Sequence, residues 1–115
     1  MNVVGADTHR TLSGVATGDL TLLDEVLGLR EEQKERTGLD ARTFGLVKIA
    51  ALIALDAPPA SYAWQVANAL ADGVTPEDIL AVLRAVAPQV GGPKVVAAAP
   101  ELMVALGLAL PENAE

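Results

Sequence analysis

Apolar positions recur at helical spacing through most of the chain, and no segment alternates apolar and polar residues as a half-buried strand does. Asp19 is a good N-cap, and the pattern predicts a helix over residues 19–36. Leu20, Leu23, Val26 and Leu27 form its apolar face, extended by the stem of Arg30. Its end, Arg30-Glu31-Glu32-Gln33-Lys34-Glu35-Arg36, is dense in charge of both signs and reads as a solvated face, with Glu32 and Arg36 spaced i,i+4 for a surface pair. Gly38 closes this helix. Asp40 caps the next, predicted from Ala41 to about Leu55, in which Phe44, Val47, Ile49, Ala50, Ala51, Leu52, Ile53 and Leu55 leave almost no polar face. Such a helix is expected to be covered on all sides.

The turn Asp56-Ala57-Pro58-Pro59 leads to a helix over residues 59–71, with Pro at its first position and Gly73 just past its end. Thr75-Pro76-Glu77-Asp78 is the clearest helix start in the chain: a Thr N-cap, Pro at N1 and acids in the first turn. Ile79, Val82, Leu83, Val86 and Val90 continue it at helical spacing to about residue 90. Gly91-Gly92-Pro93 breaks the chain, and a last helix spans residues 93–108, kinked or split at Pro100, which has no N–H to donate. Residues 1–10 lack periodicity and read as a loose lead-in, residues 11–17 as a short helix, and residues 111–115 as a disordered tail. The expected architecture is all-α: one domain over residues 1–115 with its core in about 19–109, without internal repeats.

Composition sharpens this. Apolar residues make up 51% of the 115 positions but aromatic ones only 3%, so the core must be built from Ala, Val, Leu and Ile, which let helices approach closely. Mean hydropathy of +0.37 is high for a soluble chain of this size. Leftover apolar surface of that kind marks contacts with other chains, so a homo-oligomer is expected. The net charge is −7, from 15 acidic and 8 basic residues. Nucleic-acid binding depends on Lys and Arg neutralising phosphates, so this balance argues against it, and equally against an anionic membrane surface. The longest apolar run, residues 49–55, falls far short of the ~18–20 residues that span a bilayer. The start of the sequence shows no basic segment followed by an apolar one, as a secretory signal would, so the cytoplasm is the expected location. There is no cysteine.

Residues 57–71 carry no charged side chain, so this helix is expected to be covered on both faces. Tyr62, Ala63, Val66, Ala67 and Leu70 form an apolar stripe. Ser61, Trp64, Gln65 and Asn68, at i, i+3, i+4 and i+7, form a neutral polar stripe with one large aromatic. Two readings fit it. One is a subunit interface across which Ser, Gln and Asn hydrogen-bond. The other is the wall of a small-molecule pocket, apolar and aromatic with a few placed polar groups. Either way, Tyr62 or Trp64 is expected to touch a neighbouring subunit.

Three blocks, LDARTFGLVKIAALIAL, PPASYAWQVANALADGVTPEDILAVL and GGPKVVAAA, resemble the carboxymuconolactone decarboxylase family, which includes the alkylhydroperoxidase-D-like proteins. The family pattern runs L-D-x-x-T-R-E-L-I-x-L-A, then C-x-x-C-x-x-x-H-V-x-x-A-L-x-x-G-x-T-x-E-E-I-x-x-V-L, then G-x-P. The likeness covers residues 39–99, and G-V-T-P-E-D-I-L-A-V-L is its most specific part. It implies an alkylhydroperoxidase-D-like helical domain assembling as a trimer or hexamer, with the pocket helix near the protomer contacts. It does not bring the family's chemistry along. The proton-relay glutamate falls on Gly45, the two cysteines on Pro58 and Ser61, and the histidine on Gln65. A peroxidase of this kind needs a reactive thiolate and a resolving thiol, and neither is present. The decarboxylase branch keeps the histidine as acid–base group, and Gln65 cannot exchange a proton near neutral pH.

Nothing else in the sequence replaces these groups. His9, the lone histidine, reads as a solvated residue of the lead-in. No spacing of His, Asp and Glu offers the three or four clustered ligands a metal needs. Ser61 has no base on its own helix to activate it. Lys48 interrupts an apolar helix and reads as a stem lying along apolar surface with its ammonium in water. The expectation is a protein without cofactor or metal. Either it is a non-redox family member that binds or converts a small, largely apolar metabolite beside Gly45, Ser61, Trp64, Gln65 and Asn68, or it is a catalytically silent module for assembly or protein interaction.

Overall fold

The computed structural model describes residues 3–27 and 30–112, without the side chains of Leu20, Asp24 and Leu27. Seven helices follow one another: α1 (Ala6–Thr17), α2 (Leu20–Leu27), α3 (Arg30–Thr37), α4 (Ala41–Leu55), α5 (Pro59–Ala71), α6 (Pro76–Val90) and α7 (Gly92–Ala105). No strand occurs among the described residues.

Local chemistry explains most of the boundaries. Asp40 accepts the Thr43 backbone N–H at 2.7 Å and opens α4. Thr75 Oγ1 accepts the Asp78 backbone N–H at 3.1 Å while Asp78 Oδ2 accepts that of Thr75 at 2.9 Å, a reciprocal capping box that opens α6. Pro59, Pro76 and Pro93 each stand in a first turn, where a missing N–H costs nothing. Asp56 adopts φ +55° to end α4, an αL conformation Asp tolerates better than most side chains.

Helices α4 to α7 pack on one another around Ile49, Ile53, Tyr62, Val66, Ala69, Val74, Ile79, Ala98 and Leu102. The close approach the composition called for is seen at Gly45, where a Cβ would lie 3.2 Å from Ala69 Cβ and 3.3 Å from Val74 Cγ2. Helices α1 to α3 lie outside this group. The turn after α1 sits on α5, since a Cβ on Gly18 would be 3.0 Å from Ala60 Cβ.

Several expectations need correction. Residues 6–10, read as a lead-in without structure, belong to α1, which is helical although almost only Gly14 is buried. The helix expected over residues 19–36 comprises α2 and α3, and the stretch between them lies outside the described residues. On α2 the chain buries Leu22 and Leu23 while Val26 is exposed. Leu20 and Leu27, also expected on that face, have side chains outside the described ones. The run from Arg30 to Arg36 is not uniformly solvated: Arg30 and Lys34, one turn apart, both turn inward to Asp72. The surface pair Arg36–Glu32 does form.

Helix α4 is not covered on all sides, since Val47 is 53% and Leu55 74% exposed, with Ala51 and Ala54 beside them on the same face. Pro100 does not split α7 into two elements; the helix runs through it to Ala105, stops short of residue 108, and packs against α4, α5 and α6, although Pro100 leaves the Val96 carbonyl without its helical partner. Of the expected disordered tail, residues 113–115 lie outside the described residues, and Pro111 and Glu112 are exposed.

Candidate functional site

Helix α5 places the residues of interest. Its buried stripe is Tyr62, Val66 and Ala69, rotated from the expected one, and Ala63 and Leu70 are exposed. Tyr62 is only 1% exposed, so it is a core residue and offers nothing to a neighbouring subunit. Burial pushes its phenol pKa up, with the negative charges of Asp56 and Glu101 adding to the effect. Trp64, at 8% exposed, is likewise covered within its own chain.

Trp64 lies on the side of α5 opposite that core stripe, Ser61 and Asn68 stand about 100–120° around the helix from Tyr62, and Gln65 borders the stripe, about 40° from Ala69. At about 100° per residue, Trp64 and Asn68 fall between Ala60 and Asp72 around the helix. Those two are where the outer layer is tied down: Gly18 at Ala60, and Arg30, whose Nη1 donates to Asp72 Oδ2 at 3.2 Å. Ser61, Trp64 and Asn68 therefore face the layer of α1 to α3, with Gln65 at its margin. Among the described residues, Trp64 Nε1, Gln65 Oε1 and Asn68 Nδ2 are all buried without a hydrogen-bond partner. Native structures contain few such atoms, and three on adjacent turns of one helix is a concentration that calls for a cause.

A cationic group closes the Asp72 end. The Arg30 guanidinium lies 5.1 Å from the centre of the Phe44 ring, and Lys48 Nζ lies 4.9 Å from the same ring. Lys48 Nζ also donates to Gln33 Oε1 at 3.1 Å, so its ammonium is not simply in water as expected. Lys34 Nζ donates to Glu31 Oε1 at 3.1 Å and to Asp72 Oδ2 at 3.4 Å; its pKa is held above the ordinary ammonium value chiefly by Glu31, with Asp72 assisting. Arg30 Nε and Nη2 are buried and unpartnered among the described residues. Spacing in the sequence could not reveal this group, because Arg30 and Asp72 are 42 positions apart. The one hint was an arginine at the edge of an apolar face.

The remaining candidates separate from the stripe. Gly45 is buried against Ala69 and Val74 on the core side of α5, where its role is to let α4 and α5 approach. Pro58, the N-cap of α5, is exposed. His9 is exposed on α1. A concavity of about 330 Å³ lies elsewhere, between α6 and α7, lined by Ile79, Leu83, Leu102 and Met103 among others; none of the stripe residues reaches it. No helix among the described residues is long and apolar enough to cross a membrane.

The family model for carboxymuconolactone decarboxylases matches residues 21–102, well over half of the chain. The chain belongs to the carboxymuconolactone decarboxylase family. No curated protein and no solved structure matches it. The three positions onto which the family motif would carry its cysteines and histidine stand on one helix: Pro58 at its cap, Ser61 one turn in, and Gln65 one turn further. Ser61, Gln65, Trp64 and Asn68 present hydroxyl, amide and indole groups, none of which exchanges a proton near neutral pH. Such a set can orient a ligand through hydrogen bonds but supplies neither a base nor a nucleophile.

Proposed function

We propose that this protein is a non-redox member of the carboxymuconolactone decarboxylase family that binds a small, largely apolar molecule along the polar stripe of α5, beside Ser61, Trp64, Gln65 and Asn68. The observation that carries this is the run of buried, unpartnered atoms on adjacent turns, Trp64 Nε1, Gln65 Oε1 and Asn68 Nδ2. An unmade hydrogen bond in a buried place costs about 1–3 kcal/mol, so a site that leaves several unmade is one in which a ligand recovers them. Recognition rather than turnover is the role, because no side chain of the stripe titrates near neutrality. The protein works as a homo-oligomer, a trimer or hexamer, in the cytoplasm. Gly45 shapes the site only from behind, by letting α4 lie close to α5.

Gln65→Leu tests this. The substitution removes an acceptor and a donor while keeping the volume, so ligand affinity falls by about 0.5–1.5 kcal/mol while the oligomer mass is unchanged. The unliganded variant melts no lower than the parent, because the lost Oε1 has no partner among the described residues. Native mass spectrometry of the protein purified from its own host supplies the ligand for the affinity measurement.

A second reading, a catalytically silent assembly module, is favoured by the bare apolar stripe Val47, Ala51, Ala54 and Leu55 on the outer face of α4. Under it, Gln65→Leu leaves no ligand phenotype, whereas Val47→Glu or Leu55→Glu dissociates the assembly. A monomer by light scattering at micromolar concentration contradicts both the oligomer and this second reading.

A further inference from the structure

Between α6 and α7 the protein leaves apolar surface unfilled, and the chemistry of that surface indicates what would fill it. The two helices are joined at Gly91 alone. The concavity of about 330 Å³ lies at the other end of the pair, between the first half of α6 and the second half of α7. Ile79 and Leu102, 1% and 5% exposed, form its floor. Gly107, at φ +78°, turns the chain after α7 so that the Leu108 backbone N–H donates to the Met103 carbonyl at 2.8 Å, and Leu108 and Met103 both line the space. Leu80 and Leu108 stand exposed at its rim. The volume falls at the low end of small-molecule sites, which span ~300–1,000 Å³, so it suits a short chain or a single ring.

The lining selects by what it lacks. None of its side chains is a cation or a hydrogen-bond donor, Pro76 offers no backbone N–H, and Glu77 is the single polar side chain. An anion or a polyol would give up hydration there without recovering hydrogen bonds. Glu77 is exposed and has no ion-pair partner among the described residues. Its neighbour Asp78 is engaged by Arg42 and by the Thr75 N–H, and so already complements the positive end of α6. The Glu77 carboxylate is left to meet an incoming cation. We propose that the concavity is a second ligand site, separate from the α5 stripe, for a small organic ammonium compound. Its alkyl chain or ring lies against Ile79, Leu83, Leu102 and Met103, and its ammonium sits at Glu77. A second copy of this chain suits the groove less, because its exposed segment Leu110-Pro111-Glu112 would bring a carboxylate toward Glu77.

Methyl NMR of the full-length chain, labelled at its methionines, tests this. The chain has only two methionines, so the Met103 signal is identified by its loss in Met103→Leu and reports on the lining directly. The probes are hexylammonium, hexan-1-ol and hexanoate. Hexylammonium shifts the Met103 signal at the lowest concentration, hexan-1-ol follows, and hexanoate binds weakest. Because Glu77 is exposed, the advantage of the ammonium over the alcohol is about threefold to fivefold and shrinks as salt is added. Glu77→Gln, a surface change that needs no repacking, removes this advantage and leaves the affinity for hexan-1-ol unchanged. Ala99→Leu fills the space from α7 and abolishes binding of the ammonium and the alcohol alike. A Met103 signal unmoved by millimolar hexylammonium overturns the proposal, as does equal affinity for hexylammonium and hexanoate, or an ammonium preference that survives Glu77→Gln. A Met103 signal that responds to dilution of the protein but not to the probes gives the groove to a second copy and overturns it too. Gln65→Leu leaves the Met103 titration unchanged; its loss in that variant would refute a site separate from α5.

Discussion

Adding one methyl group at Gly45 would measure how tightly α4 and α5 are held together. Two effects oppose each other in Gly45→Ala. Replacing glycine by alanine inside a helix contributes about 0.5–1 kcal/mol of stability through backbone entropy. Against this, the new Cβ would lie 3.2 Å from Ala69 Cβ and 3.3 Å from Val74 Cγ2, both closer than ordinary carbon contact, and 3.4 Å from Ala69 Cα, at its edge. Val74 is buried and β-branched, with little rotamer freedom, and the Ala69 atoms move only with their helix. Relief therefore requires α4 and α5 to part by a few tenths of an ångström. Overpacking of this kind costs about 1–3 kcal/mol, so the net expectation is a loss of roughly 0–2 kcal/mol. Urea unfolding followed by circular dichroism measures it, and a double-mutant cycle with Ala69→Gly isolates the contact. Removing the opposing methyl should recover at least about 0.5 kcal/mol of coupling. If Gly45→Ala instead stabilises by the full propensity gain and the two substitutions are additive, α4 and α5 are not in close contact at this point.

Two further outcomes concern ionisation. The Thr75 backbone N–H and the Arg42 guanidinium, bonded to Asp78 at 2.9 Å and 2.6 Å, hold its carboxyl below the usual carboxylate range, and the Thr43 N–H does the same for Asp40. A depressed folded pKa contributes stability that is present above about pH 4 and lost as pH falls through the folded value, so Asp78→Asn should flatten the acid limb of the stability curve, while Thr75→Ala should cost about 1 kcal/mol at neutral pH. Tyr62, the sole tyrosine, has a raised pKa, so the stability linked to it is complete below about pH 10 and lost as pH rises toward its folded value; an ultraviolet titration should show its phenol ionising later in the folded chain than in urea.

Helix positions from Ala41 onward were legible in the sequence because their determinants are local. Asp40, Pro59, Thr75 with Asp78, and Gly91 act within one turn of where they stand, so α4, α5 and α6 begin and end where the pattern placed them. The family was legible for a related reason: G-V-T-P-E-D-I joins a cap, a turn and an apolar register at fixed spacing. The sequence was also enough to show that the family's thiols and histidine are missing, since absence of a side chain needs no fold to establish it.

What it could not determine was which face of a helix meets what. Tyr62 and Trp64 looked equally suited to an interface, and only packing put Tyr62 in the core and Trp64 beneath the outer layer. The apolar surround of α4 could not be divided into the buried Ile49 and Ile53 and the bare Val47 and Leu55. Arg30 and Lys34 belonged to a charged run that any surface helix would carry, until α3 came to lie near the end of α5 and brought them to Asp72. Capping and periodicity depend on neighbours in the chain, whereas burial, orphaned hydrogen bonds and the pairing of distant charges arise only when helices far apart in sequence come together. For that reason the helices could be read from the amino acids one by one, while the grouping of polar and charged side chains around α5 arises only in the folded chain.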